Sequence, residues 1–416
     1  MRCLPCHNRR MPNPPRSTSN ELRGIGRLGI DATLGVTDLV EALHHNISGN
    51  SGPLPKTQNG RTGGITGLVY RAIRGSTRTV GFGLDAALAL LAGPMSALKP
   101  LPEQAHLKSA LNGVLGDHLI NSGNPLAIPM ALRMEGTPLV LQREHLTAAI
   151  PHATGKLLLL VHGLCMNDTQ WKQLRADGGQ HDHGQALQQA HGYTAVYLHY
   201  NTGRNIDDNG QDLAELLETL VTAWPVALEE LNILAHSMGG LVARSAQHHA
   251  QSKAHSWPEK ARKFVFLGTP HHGAPLERGG HWFDLILGAT PFAAPFAKIG
   301  RIRSAGIMDL RYGGNAEKGI RLPALPRDIA CFTIAGALNR KADVLHGNRP
   351  GDGLVPVDSA LGLHHQPNQT LEFPEQHRTV IQGVNHMQLL SDARVYAELE
   401  KVLKPDCSAI SAHTLR

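Results

Sequence analysis

Residues 231–242 read LNILAHSMGGLV, an apolar run that ends at a serine between small residues and continues into a helical pattern. A strand that turns sharply into a helix at a serine exposes the hydroxyl at the edge of a sheet, and so tight a turn needs small residues two positions before and after the serine. Gly239 meets this requirement, and Ala235 exceeds the commoner glycine by one methyl group. The pattern predicts a nucleophile at Ser237; the alternative is a serine that caps a helix after a buried strand.

Apolar runs and helical patterns alternate on both sides of this serine. Continuous apolar runs, without polar residues at every second position, are typical of strands buried on both faces of a parallel sheet. Such strands alternating with helices predict a doubly wound, mostly parallel α/β domain. The apolar runs cover residues 156–161, 194–198, 231–234, 264–267 and 331–334, and the helical patterns cover residues 208–224, 240–250 and 395–403.

Changes in composition indicate how the chain is divided. Residues 1–20 are basic and rich in proline, and we expect a disordered tail there and another at residues 406–416. Residues 21–126 carry apolar residues at helical spacing and predict an N-terminal helical subdomain, while residues 127–405 predict the α/β catalytic domain. Residues 274–327 separate two predicted strands and are too long for a simple connection. We predict that they form an inserted cap or lid over the site; the alternative is a helical excursion on the surface.

The composition is that of a globular protein, with 41% hydrophobic and 18% charged residues. The net charge of +6 is not concentrated in a basic block, so no nucleic-acid partner is expected. The first residues lack the apolar segment of a secretory signal, and no stretch is long enough to predict a spanning helix. The expected location is the cytoplasm or the membrane periphery. Arg71, Arg74 and Arg78 flank apolar helical faces. The N-terminal helices could therefore contact a membrane surface or form a dimer, or simply pack on the catalytic core.

Neither a disulfide framework nor a metal site is expected. The five cysteines are odd in number and scattered, and the single C-x-x-C motif has no second pair. A cluster at His181, Asp182 and His183, with His191 nearby, has the residue types of a zinc site but no fuller ligand set. We therefore predict no metal and no organic cofactor.

A serine nucleophile needs a base, and the base needs an orienting carboxylate. Residues 351–356 read GDGLVP and place Asp352 between two glycines on a loop that follows a predicted strand. Residues 380–387 read VIQGVNHM and place His386 on a loop before the last helix. We predict that Asp352 is the acid and His386 the base, in the chain order typical of such sites. The rival residues are Asp343, Asp358, His364, His365 and His377.

The apolar run at residues 157–161 leads into the sequence HGL, which opens a loop expected to lie beside Ser237. Acyl transfer needs two N–H donors aimed at the oxyanion of the tetrahedral intermediate. The expected donors are the backbone amides of Leu164 and Met238, and Gly163 lets the loop bend close to the serine. The alternative is an ordinary glycine turn.

Five motifs together resemble the serine lipase and esterase branch of the α/β-hydrolase superfamily: AHSMGG, HGL, GTPHHG, GDGLVP and the dipeptide NH. They are similar to motifs of bacterial lipases with an Ala-x-Ser-x-Gly elbow and of the α/β domain of GPI inositol-deacylase-type esterases. The resemblance covers roughly residues 127–403 and implies the α/β-hydrolase fold. It implies the nucleophile Ser237, the acid Asp352, the base His386 and the oxyanion donors Leu164 and Met238. The N-terminal helices have no counterpart in the minimal lipases.

The expected activity is hydrolysis of carboxylic esters, including lipid esters, through an acyl-enzyme. Leucine and phenylalanine residues within 274–327 favour substrates with apolar acyl chains. Other triad enzymes of the same fold remain as an alternative: thioesterase, amidase, polyester depolymerase or acyltransferase. A third interpretation is a non-catalytic binding protein on this fold, although no triad member is missing from the sequence.

Overall fold

A computed structural model describes residues 18–49, 64–90, 102–175, 178–273, 304–312, 314–315, 320–321, 324–338 and 351–405. The predicted tails, at residues 1–20 and 406–416, lie outside the described residues apart from the start of the first helix. The predicted cap, residues 274–327, lies mostly outside them as well.

Contacts divide the chain into two compact units. Among the described residues, the first helices are α1 (Thr18–Gly49), α2 (Gly64–Leu90) and α3 (Pro102–Asn121). The first unit comprises Met1–Pro102 with Leu119–Ala127, and the second comprises Glu103–His118 with Ile128–Arg416. Most of α3 therefore belongs to the second unit. The predicted helical character of the N-terminal region is confirmed.

In the first unit, α1 and α2 pack as a pair joined by buried and half-buried charges. Asp85 of α2 accepts forked hydrogen bonds from Arg27, at 2.8 and 2.7 Å, and from Arg23, at 3.1 and 3.0 Å. The hydrogen bonds from Arg27 and then Arg23 hold the pKa of Asp85 below its usual range. Arg74 of α2 reaches the carboxylate of Glu41 on α1 at 2.5 Å. Among the helices that the structure describes, none is long and apolar enough to cross a bilayer.

The second unit is built on an eight-stranded sheet. Its described strands, with four short ones that lie outside the main sheet, are β1 (Ala131–Met134), β2 (Thr137–Pro138), β3 (Lys156–Val161), β4 (Gln173–Leu174), β5 (Gln180–His181), β6 (Thr194–His199), β7 (Glu230–His236), β8 (Ala261–Leu267), β9 (Gly314–Asn315), β10 (Ile320–Arg321), β11 (Ala330–Ala337) and β12 (Arg378–Gln382). The order in the sheet is β12-β11-β8-β7-β3-β6-β1-β2. From β12 to β6 the strands run parallel, whereas β1 and β2 are antiparallel at one edge.

Helices connect the parallel strands and cover both faces of the sheet. They are α4 (Arg143–Ala149), α5 (His183–His191), α6 (Ile206–Ala223), α7 (Met238–Ser252), α8 (Ala305–Tyr312), α9 (Val357–Ala360) and α10 (Ala393–Leu403). The chain moves from β3 outward to β6 and then returns across β3 to β7, so the winding direction reverses beside β3. Ligands of open α/β sheets bind at such a reversal, beyond the carboxyl ends of the strands. The predicted doubly wound α/β-hydrolase fold is confirmed.

Strand β3 shows why an uninterrupted apolar run is required at the centre of this sheet. Leu157, Leu159 and Val161 face one hydrophobic cluster, with helices α6 and α7, while Leu158 and Leu160 face a second cluster, with α5 and α10. All five side chains are fully buried. Burial of each such side chain stabilises the fold by about 1.5–3 kcal/mol, so both faces of β3 contribute to the core.

Helix α3 packs its glycines directly against the loops that follow β3 and β6. A β-carbon on Gly116 would lie 1.9 Å from Oδ1 of Asn201, and one on Gly113 would lie 2.3 Å from Sγ of Cys165. The Asn201 side chain also donates a hydrogen bond to the carbonyl of Gly116 at 3.0 Å. The helix backbone therefore fixes the loop after β3, which carries the predicted oxyanion donor Leu164.

We expect Gly116→Ala to lower the free energy of unfolding of the second unit by about 1–2 kcal/mol, because overpacking outweighs the higher helix propensity of alanine. Urea unfolding followed by tryptophan fluorescence measures this unit, since the buried residues Trp171, Trp224 and Trp257 all lie in it. Leu107→Ala, at an exposed position of the same helix, is the control and should change stability by no more than about 0.5 kcal/mol. An unchanged midpoint for Gly116→Ala would contradict the close packing described here.

Candidate active site

Ser237 lies between β7 and α7 in a backbone conformation that serine rarely adopts. Its φ is 53° and its ψ is −125°, outside the regions that L-residues populate without strain. Its amide donates a hydrogen bond to the carbonyl of Leu267, at the end of β8, at 2.8 Å. Strained residues of this kind cluster at functional sites. The structure therefore places Ser237 on the predicted strand-to-helix turn.

The residues around Ser237 are small because backbone atoms of the neighbouring strands approach closely. A β-carbon on Gly239 would lie 2.4 Å from the carbonyl oxygen of Val161 and 2.7 Å from that of His162. Ala235 is fully buried and pairs with Val161 of β3 and Phe266 of β8. Position 239 thus excludes any side chain, while position 235 accepts a methyl group.

His386 and Asp352 form a buried hydrogen-bonded pair. Nδ1 of His386 lies 2.7 Å from Oδ2 of Asp352, and the His386 amide donates to the Asp352 carbonyl at 3.0 Å. The other carboxylate oxygen accepts hydrogen bonds from the amides of Leu354, at 3.0 Å, and Val355, at 2.8 Å. A carboxylate only accepts hydrogen bonds, so the imidazole nitrogen that faces Oδ2, Nδ1, carries the hydrogen. The other ring nitrogen, Nε2, is then able to accept a proton.

Asp352 follows β11 and His386 follows β12, so both lie at the carboxyl edge of the sheet, where β7 ends at Ser237. A β-carbon on Gly268, the residue after β8, would lie 3.0 Å from Oδ2 of Asp352 and 3.2 Å from Cε1 of His386. The imidazole of His236, next to Ser237 in the chain, lies 4.6 Å from that of His386 between ring centroids. Among the described residues, the Ser237 hydroxyl and the His386 imidazole do not hydrogen-bond to each other. In sites without substrate such bonds are often long and tighten in the complex.

The structure also locates four of the five rival residues from the sequence. His377 bonds through Nδ1 to the carbonyl of Cys331, near the start of β11 and thus at the opposite end of the sheet. The rings of His364 and His365 contact each other at a tilt, with centroids 4.1 Å apart. Asp358 lies in the first turn of α9. Asp343 lies outside the described residues.

The loop after β3 lies against the serine. A β-carbon on Gly163 would lie only 3.0 Å from Cβ of Ser237. The loop turns between Gly163 and Met166, whose amide donates to the Gly163 carbonyl at 3.4 Å, with Cys165 at a positive φ of 60°. Within the part of the chain that the structure describes, the amides of Leu164 and Met238 have no hydrogen-bond acceptor. Both amides therefore remain able to donate to a ligand.

The histidine-rich segment at residues 181–183 is engaged in hydrogen bonds. Nε2 of His181 lies 2.7 Å from Nδ1 of His183. Asp182 caps α5 by accepting from the amides of Gly184, at 2.7 Å, and Gln185, at 3.1 Å. Among the described residues no group of three or more His, Cys, Asp or Glu side chains is arranged to hold a metal ion.

His162 is fully buried at the base of the same loop. Its ring stacks on Tyr200 at 4.5 Å, and Nδ1 bonds to the carbonyl of Gly163 at 2.9 Å. Burial lowers the pKa of His162 from 6.5 to about 3, so the side chain is neutral at physiological pH. Sequence reasoning did not identify its neighbour His236, whose pKa burial also lowers well below the usual value.

We predict that acid destabilises the protein through His162. Its folded pKa of about 3 lies below the usual histidine value of 6.5, so the unfolded chain binds a proton first and stability falls as the pH drops below 6.5. His162→Phe keeps the ring stacking and removes the titration. It should reduce the pH dependence of the unfolding free energy by about 1.4 kcal/mol per pH unit between pH 6 and 4. Urea unfolding at a series of pH values measures the slope; equal slopes for both proteins would contradict a buried neutral imidazole.

A pocket of about 910 Å³ opens elsewhere in the second unit. Arg244, His271 and His377 are among the residues that line it, and none of Ser237, Asp352 and His386 is. The second half of the GTPHHG motif therefore faces this pocket, where Nη1 of Arg244 lies 3.3 Å from Nδ1 of His271.

The strand order and the elbow at Ser237 define a chain of the α/β-hydrolase fold. Within it, residues 137–308, from β2 to α8, match the family described as Domain of unknown function (DUF7379). A comparison with curated proteins gives no match.

Three solved structures illustrate what the fold is similar to. An esterase from Pyrobaculum calidifontis is 13% identical, with 59% of this chain and 74% of that chain covered and a TM-score of 0.37. An alpha/beta hydrolase fold protein from Chitinophaga pinensis is 13% identical, with 61% and 91% covered and a TM-score of 0.37. YbtT, a type II thioesterase from the yersiniabactin biosynthetic pathway, is 15% identical, with 60% and 92% covered and a TM-score of 0.35.

Proposed function

We propose that this protein is a serine hydrolase that cleaves carboxylic esters. The observation that supports this most directly is the strained Ser237, with φ of 53°, beside an imidazole that is hydrogen-bonded to a buried carboxylate at 2.7 Å. In this proposal Ser237 is the nucleophile, His386 the general base and Asp352 the residue that orients the imidazole. The amides of Leu164 and Met238 form the oxyanion hole.

In the first step, Nε2 of His386 takes the proton of the Ser237 hydroxyl as the oxygen attacks the ester carbonyl. The carbonyl oxygen becomes an oxyanion and accepts hydrogen bonds from the two amides, each of which is worth several kcal/mol in the transition state. His386 then gives its proton to the departing alkoxide, which leaves as an alcohol. The acyl group remains bound to the serine oxygen as an ester.

In the second step, water repeats the sequence. His386 removes a proton from water as the oxygen attacks the acyl-enzyme, and it returns the proton to Ser237 when the carboxylic acid leaves. Asp352 stabilises the imidazolium in both steps without taking the proton itself. The two proposed steps consume only the ester and one water molecule.

The proposed substrates carry apolar acyl chains. This part of the proposal is supported by the sequence of residues 274–327, which contains aromatic and leucine residues at high density: Trp282, Phe283, Leu285, Leu287, Phe292 and Phe296. A segment of this composition is suited to bind an acyl chain by burying it from water.

Ser237→Ala should abolish hydrolysis of p-nitrophenyl esters and labelling by a fluorophosphonate probe, because both reactions need the serine oxygen as nucleophile. Ser252→Ala is the matched control, since its hydroxyl bonds only to the carbonyl of His248 at the exposed end of the same helix. The control should label and turn over like the wild type. Unchanged labelling of Ser237→Ala would show that another residue is the nucleophile.

The same assay, extended to a panel of substrates, tests the ester as the substrate class. We expect p-nitrophenyl esters of increasing acyl length to be cleaved faster than matched thioesters and anilides. A preference for thioesters or amides would replace the ester assignment while leaving the triad intact. Absence of turnover with every class, together with absent labelling of the wild type, would favour a non-catalytic protein.

Asp352→Asn should lower kcat by about 10³–10⁴-fold with little change of KM, because an amide at this position favours the wrong imidazole tautomer. Asp358→Asn, which replaces a rival carboxylate in the first turn of α9, should keep kcat within a few-fold. Steady-state kinetics on one p-nitrophenyl ester compare the two variants. A large loss for Asp358→Asn with a small loss for Asp352→Asn would reverse the assignment of the acid.

A further inference from the structure

Three side chains from outside the segment 386–391 donate hydrogen bonds to its backbone carbonyls. Nε2 of His236 lies 3.1 Å from the carbonyl oxygen of His386, and Nε2 of His183 lies 3.0 Å from that of Leu389. Nε of Arg175 donates to the carbonyl of Ser391 at 3.3 Å. We call residues 386–391 the base loop, because it begins with the proposed general base.

The donors on one side of the base loop form a chain whose direction is fixed at both ends. A guanidinium can only donate, so Nδ1 of His181, 2.7 Å from Nη2 of Arg175, accepts. Nε2 of His181 then carries the hydrogen and donates to Nδ1 of His183 at 2.7 Å. Nε2 of His183 in turn carries the hydrogen that the Leu389 carbonyl accepts. The guanidinium at one end and the carbonyl at the other both place the hydrogen of each imidazole on Nε2, so the two assignments agree.

The chain is held in a single arrangement by its surroundings. His183 is fully buried and His181 is 8% exposed. The ring of Tyr396, from α10, lies 5.2 Å from that of His181 and 6.0 Å from that of His183. Burial lowers the pKa of His183 to about 3 and that of His181 to about 4, so both stay neutral and keep these donor roles at physiological pH.

The base loop is short, so a displacement at Leu389 is transmitted to His386. The Leu389 amide donates to the carbonyl of Asn385 at 3.2 Å, which closes a turn around His386. Cδ1 of Leu389 would lie 2.7 Å from a β-carbon on Gly268, the same position that faces the His386 ring. The bond from His183 to Leu389 thus acts within one turn of the proposed base.

On the other side, His236 connects the elbow to the base loop. It is the last residue of β7 and precedes Ser237, and its Nε2–H bonds to the carbonyl of His386. The Ser237 hydroxyl and the His386 imidazole, between which the proposed proton transfer takes place, are therefore linked through the side chain of His236. A displacement of a reacting group by about 1 Å can cost about 10²-fold in rate.

We propose that His183 and His236 are positioning residues that hold the imidazole of His386 within reach of Ser237, a role that rests on the proposed hydrolase function. Each acts by donating its Nε2–H to a carbonyl of the base loop, and His181 and Arg175 support His183 from behind. Neither histidine touches the substrate or exchanges a proton with it.

The test pairs a variant that keeps the donor with one that removes it. Glutamine can place an amide N–H where Nε2–H of histidine lies, whereas leucine cannot. We expect His183→Leu and His236→Leu each to lower kcat by about 10–100-fold while KM stays within about twofold, because transition-state geometry rather than substrate binding is lost. His183→Gln and His236→Gln should recover most of the lost rate. His377→Leu, which removes a histidine bond to a carbonyl at the opposite end of the sheet, should keep kcat within about twofold.

Hydrogen exchange separates failure of this proposal from failure of the proposed function. The amide of His386 donates to the Asp352 carbonyl, and its exchange should accelerate in both leucine variants and return toward the wild-type rate in the glutamine variants. If the wild type cleaves no ester but exchange behaves in this way, the proposed hydrolase function is wrong. The hydrogen bonds from His183 and His236 would then still be shown to hold the base loop in place. If kcat and exchange in the leucine variants match the wild type, or if glutamine fails to rescue where leucine is damaging, the positioning role is overturned.

Discussion

The backbone at Ser237 adopts a strained conformation that the packing of the surrounding sheet must stabilise. Its positive φ costs on the order of 1–3 kcal/mol, and the packing of β3, β7 and β8 must supply that energy. The carbonyl oxygens of Val161 and His162 leave no room for a side chain at Gly239. The Ser237 amide donates a hydrogen bond to the carbonyl of Leu267. Because the strain is imposed by three buried strands, the hydroxyl is presented in a fixed direction before any ligand arrives.

The loops at the same edge of the sheet depend on this rigidity. Gly163 lies close to Ser237 on one side, and Gly268 lies close to Asp352 and His386 on the other. Helix α3, through Gly116, supports the first of these loops, and the hydrogen bonds from His183 and His236 support the segment that carries His386. The site is thus assembled from backbone contacts at glycines and from neutral buried histidines, rather than from exposed charges.

Much of this architecture could be predicted from the sequence because its signals are local. The run KLLLLV identifies a strand buried on two faces, and the small residues around Ser237 identify the turn, whose geometry follows from steric limits alone. The strand ends also indicated where Asp352 and His386 would lie. The pairing of these two residues, which are 34 positions apart, could be anticipated only from the general organisation of such folds.

Other features depend on contacts between distant segments and had no local signal. The histidines at 181 and 183 have the spacing of metal ligands, and only the folded chain shows that one imidazole bonds to the other and then to Leu389. His236 reads as one more residue of the elbow until its ring is seen beside His386. The sequence of α3 likewise does not indicate which unit it packs against, because its glycines acquire meaning only from Cys165 and Asn201.

The left-handed backbone at Ser237 also has a consequence for how such a chain can change over generations. Glycine adopts a positive φ without steric penalty, so a glycine at this position would relax the elbow by roughly 1 kcal/mol. Where the hydroxyl has no use, that substitution is one of the simple stabilising changes open to such a chain. Serine at this strained position therefore lowers folding stability, and any use of its hydroxyl is set against stability at a single residue.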